Sequence, residues 1–271
     1  MKNKKRQPLD LTKQVKIGDG VYWVGSPDKA TTINCNPYLI VDGDEAVLID
    51  GGSRLDFSTV VLKIMRAGAP LNQISRLIYQ NYSHDSCGSL PYLKSLISNP
   101  DLRIISHEEN NVYIDFIAPD IPKDCIESLE FQFKFKSGRR LDFYHIPYAH
   151  TAGSFLTYDN KTKILFSGNL YSGLDVSVSL YTNLNNDCDD CEPTTVCPRS
   201  GMMCDLIGIS DFHIKTMTSA KALGYALTQV GNLDISMIAP GHGNVLHTKH
   251  SIEMVTDQLK NIKSIGIDRY V

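Results

Sequence analysis

Residues 80–90 read Gln-Asn-Tyr-Ser-His-Asp-Ser-Cys-Gly-Ser-Leu, and this stretch decides the interpretation of the fold. An apolar run, residues 74–79, leads into it, and Gly88-Ser89-Leu90-Pro91 begins a helix-like segment after it. Proteins with mixed α/β folds build their sites in such loops, at the ends of strands. The loop has the frame of a metal-binding loop, yet Asn and Ser occupy most of its polar positions.

Three later segments have the same placement, each directly after a β-like run. They are Pro147-Tyr148-Ala149-His150, Phe166-Ser167-Gly168-Asn169 and Ala239-Pro240-Gly241-His242-Gly243. Strand ends that meet at one edge of a sheet bring such residues together. We therefore expect one pocket formed by all four segments.

Composition excludes several classes of protein. The chain has 271 residues and a net charge of −3, so no basic excess indicates nucleic-acid binding. No apolar run approaches the roughly 20 residues that span a bilayer. The Lys-rich start leads into Pro8-Leu9-Asp10 instead of an apolar segment, which argues against a secretory signal. We expect a cytoplasmic protein that binds neither nucleic acid nor membrane.

Hydrophobic periodicity predicts an α/β (α+β) fold in a single domain over residues 1–271. Predicted strands cover residues 22–24, 38–41, 46–50, 74–79, 102–106, 131–135, 141–146, 154–158, 164–167 and 235–239. Predicted helices cover residues 57–67, 90–97, 218–230 and 252–262. The pattern indicates two β-rich halves with helices outside.

Residues 171–212 are the exception, because they show neither a helical nor a strand period. So long an irregular insertion in a compact domain is usually functional or disordered. Four of the seven cysteines lie in it, at Cys188, Cys191, Cys197 and Cys204. In a chain without a secretory signal, such clustering favours metal binding over disulfides.

Four thiolates from one loop are enough for tetrahedral zinc or an iron–sulfur cluster. The spacing Cys-x2-Cys-x5-Cys-x6-Cys matches neither a zinc ribbon nor the bacterial ferredoxin pattern. We favour an iron–sulfur cluster, with zinc as the other cofactor. A redox disulfide pair and reduced thiols in a mobile loop remain open. Cys35 or Cys87 could also contribute a ligand, although both residues are more often small buried side chains.

The order of these motifs along the chain resembles that of the metallo-β-lactamase fold. Their amino-acid sequences are similar to those of its flavodiiron branch. Asn36-Pro37-Tyr38-Leu39-Ile40 and Val47-Leu48-Ile49-Asp50-Gly51 resemble the opening strands of that family. The four site segments stand in the family's order, and the resemblance covers about residues 18–265 without the insertion. It implies an αββα sandwich with a pocket at one edge of two sheets, and it places the cysteine-rich insertion, residues 171–212, near the pocket mouth.

The resemblance also implies which metal ligands are missing. Asn81, Ser83, Ser86 and Asn169 stand where the family has His, Glu, His and the bridging Asp, while Asp85, His150 and His242 remain. Two irons need carboxylates to neutralise and bridge them, so a normal di-iron site is not expected. One weakly held iron or zinc ion, bound by Asp85, His242 and either His150 or His84, stays open.

Structural roles for the same residues stay open as well. Asp85 could cap the helix that follows, Gly241-His242-Gly243 could be only a turn, and His150 could be a hydrogen-bonded core residue. His84 falls on a position that is not a ligand in the family pattern, so we expect it to be exposed. The remaining histidines have no motif around them and are interpreted as structural or solvated; they are His107, His145, His213, His247 and His250.

These observations predict a redox-active iron protein on a flavodiiron-like scaffold. We expect a sensor or electron-transfer protein for oxygen, nitric oxide or redox state, with a redox or signalling protein as its partner. A homodimer is an open alternative. The alternative functions are a metal-dependent hydrolase, and a non-catalytic binding module whose cysteines hold structural zinc.

Overall fold

The first sheet contains the N-terminal half of the chain. The structure is a computed structural model that describes residues 9–27, 33–174, 179–198 and 201–271. Within these residues the sheet has the order β1-β2-β3-β4-β5-β6-β7. Its strands are β1 (Val15–Gly18), β2 (Val21–Trp23), β3 (Tyr38–Asp42), β4 (Glu45–Ile49), β5 (Ile74–Ile78), β6 (Arg103–Ser106) and β7 (Lys123–Cys125). Strands β1 to β4 pair antiparallel, and β4 to β7 pair parallel.

The second sheet contains the C-terminal half, in the order β12-β11-β10-β9-β8. Its strands are β8 (Gln132–Lys134), β9 (Arg140–His145), β10 (Phe155–Asp159), β11 (Ile164–Gly168) and β12 (Met237–Pro240). Only β11 and β12 pair parallel among these described strands. The two sheets pack face to face around a core that includes Trp23, Tyr38, Phe143, Phe155 and Phe166.

Helices cover the outer face of each sheet. The first sheet carries α1 (Phe57–Arg66), α2 (His84–Cys87), α3 (Leu90–Leu96) and α4 (Glu108–Ile117). The second sheet carries α5 (Asp205–Thr216), α6 (Ala220–Gly231) and α7 (Lys249–Asn261). The layers are therefore αββα, as predicted. None of the described helices has both the length and the apolar character that crossing a bilayer requires.

Alternation along the strands explains the layers. In β4, Val47 and Ile49 face the opposite sheet, while Ala46 and Leu48 face the helices. Successive side chains of a strand point to opposite faces. Because both faces are covered, nearly every residue of such a strand is buried, and β4 is apolar from Ala46 to Ile49.

Three of the described helices lie outside the predicted ones: α2, which is a single turn, α4 and α5. The expectation of an irregular segment through residue 212 is wrong, because α5 begins at Asp205 and the irregular part ends at Cys204. Residues on several faces of α5 are buried, Gly208 and Phe212 among them, so its apolar period is weak. The sequence does not predict helix α4, because its exposed face also carries the apolar residues Val112, Tyr113 and Phe116. These residues obscure the helical spacing of the buried ones.

Candidate functional site

The four polar segments meet at one end of the sandwich, around a cavity of about 720 Å³. Asp85, His150, Asn169 and His242 all line this cavity, as the order of the segments predicts. The amide nitrogen of Asn81 donates to the amide oxygen of Asn169 at 3.2 Å, which joins two segments 88 residues apart. We call this cavity the edge pocket.

Neutral side chains bond to one another in the wall of the edge pocket. The Asn81 Oδ1 atom accepts hydrogen bonds from the backbone N–H of Ser83 at 3.0 Å and from the hydroxyl of Ser86 at 2.9 Å. The Ser83 hydroxyl donates to the same oxygen. Asn81 and Ser86 are buried. Buried polar groups are stable only when they are hydrogen-bonded, and these groups satisfy one another without a metal.

Asp85 and His242 form an ion pair beside this network. The Nε2 atom of His242 lies 3.0 Å from Asp85 Oδ2, and its Nδ1 atom lies 2.9 Å from the carbonyl oxygen of Asn34. A carbonyl and a carboxylate both accept, so both ring nitrogens donate and the imidazole carries a positive charge. A metal ion on Nε2 would have to replace this proton.

The charges of the pair agree with this assignment. Burial lowers the pKa of His242, but the hydrogen bond and the charge of Asp85 outweigh burial and raise it above its ordinary value. Burial likewise raises the pKa of Asp85, and the contacts with His242 more than reverse the effect, so the pKa of this carboxyl is well below its ordinary range. Each partner stabilises the charged form of the other.

His150 lines the edge pocket, and Asp50 lies close enough to the pair to interact with both of its charges. The Nδ1 atom of His150 is buried without a hydrogen-bond partner among the described residues, and its backbone has a φ of 141°. Burial lowers the pKa of His150. Asp50, directly after β4, is buried, and its Oδ1 atom has no hydrogen-bond partner. Burial raises the pKa of Asp50 to about 7, although His242 opposes the rise.

These residues do not fit two irons. By the resemblance, the positions of two carboxylates and two imidazoles hold hydroxyls and amides, which bond to one another and carry no charge to neutralise two irons. Among the described residues, the ligand atoms of Asp85, His150 and His242 do not all lie within 4.8 Å of one another. Binding of a single ion by these three residues stays a prediction.

The structure distinguishes among the structural roles that the sequence left open for Asp85, His84 and His150. Ser83, not Asp85, is the N-cap residue of α2. His84 is exposed, as expected, although it also lines the edge pocket. His150 is not the hydrogen-bonded core residue considered above, since its Nδ1 lacks a partner.

The four clustered cysteines line one small cavity of about 20 Å³, which we call the thiol cavity. Cys188, Cys191, Cys197 and Cys204 contribute to it, together with Leu184 and Leu206. None of the four forms a disulfide with another described residue. The structure thus brings together the four residues that the sequence predicts as cofactor ligands.

Backbone hydrogen bonds shape the loop around the thiol cavity. The N–H of Cys191 donates to the carbonyl of Cys188 at 3.1 Å, and the N–H of Cys197 donates to the carbonyl of Met202 at 2.7 Å. The N–H of Cys204 donates to Thr195 at 3.2 Å, and Cys204 is the N-cap residue of α5. Burial raises the pKa of the Cys204 thiol.

The spacing of the thiols differs from a closed zinc site. Zn–S bonds of 2.3 Å in a tetrahedron place the sulfurs about 3.8 Å apart. Among the described residues, no three of these sulfurs lie within 4.8 Å of one another. Cys35 lines the edge pocket and Cys87 is buried among the helices of the first sheet, so neither residue lines the thiol cavity.

The two cavities are separate but share α5. Cys204 lies at the N-terminus of α5, and Phe212, eight residues later, lines the edge pocket. Eight helical residues span about 12 Å. Among the described residues, the insertion reaches the edge pocket through α5, and none of the four cysteines lines that pocket.

Sequence reasoning missed one further group of side chains. The ligand atoms of His107, Glu127 and His145 all lie within 4.8 Å of one another. They come from three separate parts of the chain and form no motif, so only the position of the two histidines at the ends of strands β6 and β9 could have pointed to them. Neither histidine is merely solvated, because their rings stack at 4.1 Å.

Solved structures with the same fold are flavodiiron proteins and an oxygen-related sensor. A structure described as a peroxy diiron species of the chemotaxis sensor ODP has a TM-score of 0.73 at 21% identity, covering 94% of this chain and 97% of that chain. The flavodiiron protein from Giardia intestinalis has a TM-score of 0.75 at 18% identity, covering 91% of this chain and 58% of that one. At these identities the likeness shows the fold.

Sequence comparison identifies the family. A coenzyme F420H2 oxidase of Methanocaldococcus jannaschii is 26% identical over 279 residues, covering 93% of this chain. The chain spans 34% and 59% of the length of two curated relatives that it matches. Residues 33–243, more than three quarters of the chain, match the family described as ODP family beta lactamase. The chain belongs to this family, whose fold is of the metallo-β-lactamase-like flavodiiron type.

Proposed function

We propose that this protein is a redox-active iron protein in which an iron–sulfur cluster, bound by Cys188, Cys191, Cys197 and Cys204, acts as a sensor or electron-transfer centre. Oxygen, nitric oxide or the cellular redox state is the input. One observation carries the proposal. The four thiols line a single cavity, while hydrogen-bonded neutral side chains occupy most of the family's metal positions.

The spacing of the thiols supports a cluster over a single ion. An iron–sulfur cluster is held by four cysteine thiolates and is larger than a zinc ion. Among the described residues, no three of these sulfurs lie within 4.8 Å of one another, so they do not form a closed zinc site, and the cavity of about 20 Å³ must open to admit a cluster. Leu184 and Leu206 provide apolar cover, and the solvent exposure around a cluster helps to set its reduction potential.

The similar proteins support the redox class. One is a chemotaxis sensor with a peroxy diiron species, and another is a coenzyme F420H2 oxidase. From these relatives we infer for this chain only oxygen-related and electron-transfer chemistry. We do not infer a di-iron site, because the edge pocket does not fit two irons. The proposal keeps three expectations: a cytoplasmic location, where thiols stay reduced; a redox or signalling protein as partner; and a homodimer as an open alternative.

Hydrolase activity has less support. A metal-dependent hydrolase needs a metal-bound water and a carboxylate free to orient it. Asp85 is paired with His242, and both nitrogens of His242 donate hydrogen bonds. Another alternative is a non-catalytic binding module whose cysteines hold structural zinc. Metal analysis distinguishes this alternative from our proposal.

Anaerobic purification of the full chain tests the proposal. We expect a brown protein with iron and acid-labile sulfide, whose visible absorption disappears in Cys191→Ser. Cys125→Ser is the matched control, because Cys125 is a partly buried free thiol outside the cavity and its loss should leave the colour unchanged. A colourless protein with zinc, or colour that survives in Cys191→Ser, would overturn the proposal.

A further inference from the structure

A second group of ligand-type side chains lies away from both cavities. The Nε2 atom of His107 lies 2.7 Å from Oε1 of Glu127, and the rings of His107 and His145 stack with centroids 4.1 Å apart. One ligand atom from each of the three residues lies within 4.8 Å of the others. None of the three residues lines the edge pocket or the thiol cavity.

The fold positions these residues from both sheets. His107 follows β6 and is the N-cap residue of α4, and Glu127 lies two residues beyond β7. His145 is the last residue of β9 in the other sheet. An ion bound here would therefore join the two sheets at their rim. The His107 side chain is 11% exposed and that of Glu127 is 41% exposed, so solvent reaches the group from one side.

The hydrogen bonds of His145 leave a ligand atom available. Its Nε2 atom lies 3.0 Å from the carbonyl oxygen of Ala152. A carbonyl only accepts, so Nε2 carries the proton and Nδ1 is the atom left to bind a metal ion. Because the planes of the stacked rings lie 23° apart, the rings must turn out of the stack for both to reach one ion. Metal-binding histidines typically donate their other N–H to a carbonyl or carboxylate in this way, which sets the ring orientation.

Glu127 is oriented by a neighbour as well. The Cys125 thiol donates to Oε2 of Glu127 at 2.5 Å, while Oε1 faces His107. Cys125 is thus a positioning residue for the carboxylate. Metal-binding carboxylates are commonly hydrogen-bonded through such neighbours.

Metal binding by His107 requires its ring proton to move from Nε2 to Nδ1. Its Nδ1 accepts the N–H of Glu109 at 3.1 Å, so without an ion Nε2 carries the proton and donates to Glu127. An ion on Nε2 displaces that hydrogen bond, the proton moves to Nδ1, and the N–H of Glu109 loses its acceptor. The ring stays neutral in both states, which is the form that binds metals.

We propose that His107, Glu127 and His145 bind one divalent transition-metal ion, of which zinc is the best match. Two imidazoles and one carboxylate are a ligand set of zinc sites that keep a fourth position for water. The same set with open positions also suits ferrous iron. The proposal does not depend on the cysteine cluster.

Zinc titration of the full chain with a competing chelator tests the site. We expect Glu127→Gln and His145→Ala to bind one zinc per chain fewer than the wild type. Glu130→Gln is the matched control, since Glu130 is an exposed carboxylate three residues away in the same segment. The cysteine cluster is unchanged in all four proteins, so any zinc bound there cancels in the comparison. Equal zinc content and affinity in Glu127→Gln and Glu130→Gln would overturn the proposal.

Two further measurements separate a metal site from a hydrogen-bonded pair. Cys125→Ala should keep the stoichiometry and weaken zinc binding about 10- to 100-fold. The amide resonance of Glu109 should shift when zinc is added to the wild type and not when it is added to Glu127→Gln. Unchanged zinc affinity in Cys125→Ala together with an unmoved Glu109 resonance would contradict the assignment. A parallel titration with ferrous iron shows which of the two metals binds with the higher affinity.

Discussion

The Nε2 atom of His242 lies 3.0 Å from the Oδ2 atom of Asp85, so the two side chains pair directly. The other nitrogen of the ring donates to the carbonyl of Asn34. The imidazolium thus supplies the positive charge that the carboxylate needs. Asp85 and His242 therefore stabilise the charged forms of each other.

Replacing Asp85 by Asn should lower the free energy of unfolding by roughly 2 kcal/mol, because a buried cation loses a charged hydrogen-bond partner. The pKa of His242 is raised, so its contribution is present below pH 6.5 and is lost as pH rises through the raised pKa. The pKa of Asp85 is lowered, so its contribution is present above pH 3.8 and is lost as pH falls. The loss should therefore be largest between about pH 4 and 7.

Urea unfolding of the wild type and the variant from pH 3 to pH 9 measures this effect. Asp44→Asn is the control, because Asp44 is an exposed carboxylate in a weak pair with Lys136. A difference for Asp85→Asn that does not change with pH would contradict the ion pair.

Asp50 should destabilise the protein as pH rises. Its folded pKa of about 7 lies above the ordinary value of 3.8, so the wild type loses stability between about pH 4 and 7, by up to roughly 4 kcal/mol. Asn has nearly the same shape and tolerates the positive φ of 55° at this position. Asp50→Asn should therefore become more stable relative to the wild type as pH rises from 4 to 8. Urea unfolding over the same pH range measures this effect. A difference in the free energy of unfolding between the two proteins that does not change with pH would refute the prediction.

Restoring the family's ligands should restore metal binding at the edge pocket. The fourfold variant Asn81→His, Ser83→Glu, Ser86→His and Asn169→Asp supplies the missing imidazoles and carboxylates. We expect it to bind two ferrous ions per chain more than the wild type in anaerobic equilibrium dialysis. Adding His242→Ala to the fourfold variant should reduce this gain. If the fourfold variant binds no more iron than the wild type, the missing ligands are not what prevents di-iron binding.

His107 should prove to have two separable roles. Its Nδ1 caps α4 by accepting the N–H of Glu109. Losing such a cap costs about 1 kcal/mol. His107→Ala should therefore lower both stability and zinc affinity, whereas His107→Asn keeps a good capping residue and should lose only zinc affinity. Thermal unfolding and zinc titration measure the two effects, and equal stability of both variants would argue against the cap.

The sequence predicts the sandwich well because its strands are strongly patterned. Val47 and Ile49 alternate with Ala46 and Leu48, and the polar segments follow the strands in order. Helix α5 was partly missed because it is buried on several faces, so a one-sided apolar stripe is absent.

Contacts between distant residues could not be predicted in the same way. Asp85 and His242 are far apart in the chain, and whether they pair or both face a metal depends on distances that no pattern encodes. His107 and His145 sit in different sheets, and only the packing of the sheets brings them into contact. The four cysteines were recognised because a single loop carries them.

X-ray absorption at the iron edge of the anaerobically purified full chain tests the central claim most directly. The account predicts an iron coordination shell of sulfur alone, which is lost in Cys191→Ser and retained in His242→Ala. A shell of nitrogen and oxygen that is retained in Cys191→Ser and lost in His242→Ala would contradict it.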